Sequence, residues 1–285
     1  MAAAAPASPL IDALRKLGPH DHLCSVYDTR EEQFAVTMPF IAIGLERHEK
    51  CIYIAESDGL DSTRKAMRAS GIDVVQAEKS GALTLTTKEQ TYLGRGSFDP
   101  DWMFAFWREA AEKAQAGGFS ALRATNETDW VLRGGPGMER WTEYESRLTE
   151  TMAETNCLAL CQYNWRRFPP GLILDLIRTH PIVVYRDVVC RNLYYAPPRE
   201  FLEPAQPMRE AERLLRNIRE HEQQIQHLTQ ALGAVNEELE AFAYSVSHDL
   251  RAPLHHINGF SQLLVEELGS GIDPTSAHYL TRIRE

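Results

Sequence analysis

The chain has 285 residues, 44% of them hydrophobic, which is enough to bury a core and excludes wholesale disorder. Forty acidic against thirty basic side chains give a net charge of -10 with no basic patch to reverse the field, so no nucleic-acid partner is expected. No run of about eighteen apolar residues exists to span a membrane, and five scattered cysteines without a CxxC pair fit reduced thiols in the cytoplasm.

Residues 1–17 open on MAAAAPASP, which has no basic region and no long apolar stretch, and are expected to be a disordered leader. From there to about Tyr195, short β-branched and aromatic runs alternate with segments of helical period, the mark of an α/β domain with a parallel sheet. The first strand is expected at His22 to Tyr27, a helix at Arg30 to Arg47, and a second strand at Cys51 to Ala55. A short helix over Asp61 to Ala69 should stop at Gly71, before strand-like stretches around Val74 and at Ala82 to Thr86. Asp99 reads as a helix N-cap with Pro100 in the first turn, and Gly117 and Gly118 end that helix. Strands at Phe119 to Ala124 and Leu158 to Tyr163 bracket a helix between Met138 and Thr155. A helix at Pro169 to His180 and an extended segment at Ile182 to Tyr185 follow.

Beyond Pro197 and Pro198 strand signals vanish and a heptad begins. Ala211, Ile218, Ile225, Leu232, Leu239 and Val246 fall at one seam position, and Leu214, His221, Leu228, Val235 and Phe242 at the other. A sustained apolar seam of this kind predicts a parallel dimeric coiled coil over residues 205–240, with His221 and Gly233 as its weak points. Gly269, Gly271 and Pro274 should form a turn before a second helix from about Thr275.

The segment from Ser245 to Leu264, SVSHDLRAPLHHINGFSQLL, carries the chemistry. His248 lies two places past the seam residue Val246 and so points to solvent. Free imidazole titrates near pH 6.5, and its neutral form can attack phosphorus. Asp249 is placed to hold the ring tautomer or take a proton, and Pro253 removes an amide from the helix one turn on, allowing a bend. The order His248, Asp249, Leu250, Arg251, Ala252, Pro253 resembles the phosphoacceptor box of sensor histidine kinases. The resemblance implies a dimerisation and phosphoacceptor domain (HisKA) over residues 241–285, with His248 phosphorylated, Asp249 assisting and Arg251 making an electrostatic contact. It further implies a homodimer, a response regulator as partner, and ATP with Mg2+ supplied by an ATP-binding domain that would follow a truncated helical hairpin. By this reading the 285 residues alone are inactive as a kinase. The competing reading is a dimeric ligand-binding scaffold with an unused acceptor box. His255 and His256 lack further suitably spaced ligands and carry no metal assignment.

In the first domain, HLCSVYDTREEQ, KCIYIAES, ALRATNETDW and the ending from Arg166 to Ile182 resemble the MEDS sensory domain over residues 18–200. The resemblance implies a RecA-like parallel sheet flanked by helices and a small-molecule or redox signal. The junction Tyr27-Asp28-Thr29-Arg30 lacks the glycines and lysine of a phosphate loop, so nucleotide hydrolysis is not expected. Ligands of open α/β sheets lodge outside the carboxyl ends of the strands. Cys24, Tyr27, Glu56, Ser57, Arg123, Asn126, Glu127, Trp130, Gln162, Tyr163 and Trp165 are placed there as an aromatic-walled pocket with polar anchors. His22, Cys24 and Cys51 form a conceivable soft metal set without an evident fourth ligand, so neither a metal nor another bound cofactor is assigned.

Overall fold

The computed structural model describes residues 8–203 and 207–284. The chain divides into two compact units, Met1–Leu215 and Arg216–Glu285.

The first unit is built on a seven-stranded sheet. Its strands are β1 (His22–Tyr27), β2 (Lys50–Ala55), β3 (Leu83–Thr87), β4 (Leu122–Glu127), β5 (Cys157–Asn164), β6 (Ile182–Tyr185) and β7 (Val188–Arg191). They lie in the order β3-β2-β4-β5-β1-β6-β7, and every pairing is parallel except β6 with β7. The helices are α1 (Pro9–Arg15), α2 (Arg30–Glu46), α3 (Leu60–Ala69), α4 (Val74–Lys79), α5 (Pro100–Ala116), α6 (Trp141–Glu154), α7 (Pro170–Thr179) and α8 (Pro198–Leu202).

The strands read as unbroken apolar runs because both faces of the sheet are covered. Cys24, Ile52, Ile54, Ala159, Cys161 and Tyr163 face one core with residues of α5, α6 and α7. Leu23, Cys51, Tyr53, Leu158 and Leu160 face the other core with residues of α1, α2, α3 and α4. The first core is dominated by rings. Trp141 lies 5.3 Å from Tyr144, 5.4 Å from Trp130 and 5.2 Å from Phe98 between centroids, and each such aromatic removes roughly 150–250 Å² from water.

The expected strand at His22 to Tyr27 has the same bounds in the structure, and Asp99 caps α5 through the amide of Asp101. Two expectations are corrected. Pro9–Arg15 is a helix, not part of a disordered leader: Leu10 and Leu14 bury themselves in the core, which offsets the entropy of ordering the segment, while residues 1–7 lie outside those described. The apolar stretch around Val74 is the helix α4, because Asp73 accepts the amide of Gln76 and starts a helical turn that buries Val74 and Ala77. Gly137 closes the loop before α6 with φ +89°, and a side chain there would run into the carbonyl of Phe98. All five cysteines are unpaired, and only Cys190 among them is exposed.

The long helix α9 (Pro207–Leu268) begins in the first unit and supplies most of the second. It continues through Pro253 and ends at Gly269, whose φ is +50°. Helix α10 (Pro274–Arg284) is started by Asp273, whose carboxylate accepts the amides of Thr275 and Ser276 and the Ser276 hydroxyl. No helix among the described residues is long and apolar enough to cross a membrane.

Candidate functional site

The carboxyl ends of β1, β2 and β4 open onto a cleft of about 270 Å³, lined by Tyr27, Arg30, Glu56, Asp58, Gly59, Glu127, Asp129, Arg133 and Arg167. Each strand stops where its last side chain or the following residue turns into this cleft. Glu127, buried at the end of β4, accepts from the Tyr53 hydroxyl at 2.9 Å and from the amide of Glu56 at 3.1 Å, and pairs with Arg30 at 3.0 Å. Glu56 pairs with Lys88 at 2.6 Å and Arg133 at 3.3 Å, and Arg167 donates to Asp129 at 2.5 Å. Burial, reinforced by Asp129 and Glu127, raises the Tyr27 phenol well above its ordinary value, so it stays a neutral donor. Burial works against the charge of Arg30, but Glu127, together with Tyr53 and Tyr27, outweighs it and raises its pKa. Three arginines interleaved with four carboxylates give a cleft that binds a small polar molecule bearing both donors and acceptors better than an apolar one.

The N-terminus of α2, where a phosphate loop would hold its anion, is occupied by the chain itself. Thr29 accepts the amide of Glu32, and the Glu32 carboxylate accepts the amide of Asp28 at 2.8 Å.

Of the residues expected in the pocket, Tyr27, Glu56 and Glu127 line the cleft together. The others do not. Arg123 is two positions into β4, at the amino end of the sheet, where its guanidinium pairs with Glu49 and lies 4.6 Å over the Phe40 ring, in space that Gly44 leaves by lacking a side chain. Trp130 donates to the carbonyl of Glu127 and turns its ring into the aromatic core beside Tyr92 and Trp141. Cys24 is buried in that same core, and Asn126, on the same face of β4, is buried as well. Trp165 is partly exposed under Arg166, Ser57 donates to Glu89, and Gln162 is buried against Gln33 and Thr125. The expected aromatic walls therefore belong to the core, and the cleft is polar.

Tyr163 donates its hydroxyl to Glu145 Oε1 at 2.5 Å, beneath α6. Glu145 stands in a fully buried nest with His22, Cys161 and His180. Cys51, grouped with His22 and Cys24 on sequence grounds, lies on the opposite face of the sheet and cannot join them. Arg30, Asp129, Arg133 and Arg167 in the cleft, and Glu145 and His180 in the nest, were not among the expected site residues. Glu145 carried a signal: it lies between Trp141 and Leu148 on the apolar stripe of α6, where an acid is out of place unless it is paired.

In the second unit His248 is 70% exposed, and its Nδ1 faces Asp249 Oδ1 at 3.4 Å. Arg251 and Pro253 follow on the same helix within the next turn and a half. The seam residues Ile225, Leu228, Leu232, Val235, Leu239 and Phe242 are exposed along α9.

Residues 21–181, more than half of the chain, match the family model described as MEthanogen/methylotroph, DcmR Sensory domain, or MEDS. The transcriptional repressor DcmR of Methylorubrum extorquens is 27% identical over 162 residues, 56% of this chain, which spans 58% of that relative's length. Cyanobacterial phytochrome B of a Nostoc species is 50% identical over 50 residues, 17% of this chain and 7% of that protein. Among solved structures, a KaiC-like protein of Pyrococcus horikoshii is similar with a TM-score of 0.43 and 17% identity, covering 59% of this chain and 72% of its own. With its parallel sheet, its flanking helices and this match, the chain belongs to the MEDS family of sensory domains.

Proposed function

We propose that this chain is the sensory and phosphoacceptor portion of a cytosolic two-component histidine kinase, in which a small molecule held at the strand ends governs phosphorylation of His248. The observation that carries the reading is the pair His248 and Asp249, both largely exposed on α9 and followed by Arg251 and Pro253. Asp249 faces Nδ1 and favours the tautomer that keeps its proton there, leaving the Nε2 lone pair bare to solvent. In-line attack by Nε2 on the γ-phosphorus of ATP forms the N–P bond as the bond to ADP breaks, and the Nδ1–H proton shared with Asp249 disperses the charge left on the ring. Arg251 offers a cation to the incoming phosphate. ATP and its Mg2+ come from an ATP-binding kinase domain, and the phosphoryl group leaves to an aspartate of a response regulator.

The exposed heptad residues support pairing of two copies of α9, because an apolar seam of this length costs too much in water to remain single. Ligand acts by its differential affinity for two arrangements of that pair, a coupling of typically about 1–3 kcal/mol.

The test supplies a histidine-kinase ATP-binding domain in trans with radiolabelled ATP. The full chain is expected to take up acid-labile phosphate, and His248→Gln to take up none while remaining dimeric. Labelling that persists in the folded His248→Gln dimer rejects the assignment, and a folded dimeric wild type that takes up no label favours the scaffold with an unused box.

A further inference from the structure

Four chemically assertive side chains meet inside the first unit, away from the cleft. His22 opens β1, Glu145 lies on α6, Cys161 is in β5, and His180 caps the end of α7; all four are fully buried. Their hydrogen bonds fix which atom each turns inward. His180 Nδ1 lies 2.6 Å from the carbonyl of Leu176, so that nitrogen carries the proton and donates it, and the bare Nε2 points into the nest. His22 Nδ1 lies 2.8 Å from the Thr149 hydroxyl, which itself donates to the carbonyl of Thr179, so His22 also donates from Nδ1 and turns a bare Nε2 inward. Tyr163 occupies Glu145 Oε1, leaving Oε2 for the centre.

Two imidazole lone pairs therefore face one carboxylate oxygen. His22 Nε2 is 3.4 Å and His180 Nε2 3.3 Å from Glu145 Oε2, and Cys161 Sγ is 3.4 Å from the same oxygen and 3.6 Å from His22 Nε2. His180 Nε2 has no hydrogen-bond partner although it is sealed from water. Bare lone pairs against a carboxylate repel unless a cation lies between them. Donors bonded to a tetrahedral metal at about 2.0–2.3 Å stand about 3.3–3.8 Å apart; the four separations just given fall in that range, and all four donor atoms lie within 4.8 Å of one another. Nδ1 atoms donating to a carbonyl and a hydroxyl, with a phenol on the carboxylate, are the orienting contacts that metal-binding imidazoles and carboxylates need.

We propose that His22 Nε2, His180 Nε2, Glu145 Oε2 and Cys161 Sγ bind one divalent transition metal of the zinc class. Binding displaces the Cys161 thiol proton to solvent, and the resulting thiolate and carboxylate neutralise the ion's two positive charges. With four protein ligands and no side open to water the ion is a staple, tying β1, β5, α6 and the end of α7.

The full chain, carrying Cys190→Ser to remove the exposed thiol, is stripped with chelator and titrated with Zn2+ and with Co2+. About one metal per chain is expected by elemental analysis, together with a thiolate-to-cobalt charge-transfer band. Cys161→Ser is expected to abolish that band, and Tyr163→Phe, which keeps the ligands but frees the carboxylate, to weaken affinity about 10- to 100-fold. If Cys161→Ser does not fold, the Tyr163→Phe affinity carries the test. A folded chain that takes up neither metal overturns the site, as does a cobalt band that survives in Cys161→Ser or an affinity unchanged in Tyr163→Phe. None of these readouts depends on His248.

Discussion

Arg123 shows what strand phase reveals and what it hides. Alternation along β4 makes it an inward-facing residue, but the end of the strand it occupies depends on where pairing begins, and β4 starts at Leu122. It therefore pairs with Glu49 at the amino edge and leaves the ligand cleft at the opposite edge to Tyr27, Glu56 and Glu127. Glu49→Gln should cost about 3–5 kcal/mol in urea unfolding by stranding a buried guanidinium, and Arg123→Met added to it should recover much of that loss. Glu143 makes a gentler case on the surface. Hydrogen bonds from Arg140, and then from Arg147, hold its carboxyl below the ordinary 4.5 against a smaller opposing effect of burial. A depressed value means the stabilisation is complete above pH 4.5 and is lost as pH falls below it, so Glu143→Gln should flatten the acid limb of the stability curve, by under about 1 kcal/mol for a pair this near the surface.

Whole elements were more legible than single residues. The parallel strands could be read because burial on both faces makes them continuous apolar runs bounded by charged or glycine-rich turns. Val74 and Val75 misled because two β-branched residues look like a strand when the Asp73 cap that turns them into α4 is not weighed. Glu145 and His180 were missed because their partners come from distant elements, which periodicity along one helix cannot supply. Within the ring-rich core, Trp141 touches Phe98, Trp130, Tyr92 and Tyr144 at once. Trp141→Ala should cost about 3–5 kcal/mol, read as a lowered denaturation midpoint with little change in slope. Along α9 the exposed Leu232 and Leu239 sit one heptad apart. Leu232→Lys with Leu239→Lys should convert the proposed dimer to monomer in sedimentation equilibrium while leaving the circular dichroism of the sheet unit in place, and an unchanged dimer would place the pairing surface elsewhere.

For the molecule as a whole, the proposed function joins a sensory α/β domain to a long helix bearing an exposed histidine by having a ligand at the strand ends alter how that histidine is presented. The proposed output role rests on six consecutive residues, because the histidine, its neighbouring acid and the proline of such a box stand at fixed local spacing that a sequence displays directly. The first domain yielded its family and the edge of the sheet but not the chemistry of the cleft, since the polar lining is assembled from four separate stretches of chain. The most direct measurement is tandem mass spectrometry, at neutral to alkaline pH, of the full chain after incubation with ATP, Mg2+ and a histidine-kinase ATP-binding domain. The account predicts one phosphoramidate, on His248, lost on acidification; phosphate on His255, His256 or another residue in its place would contradict it.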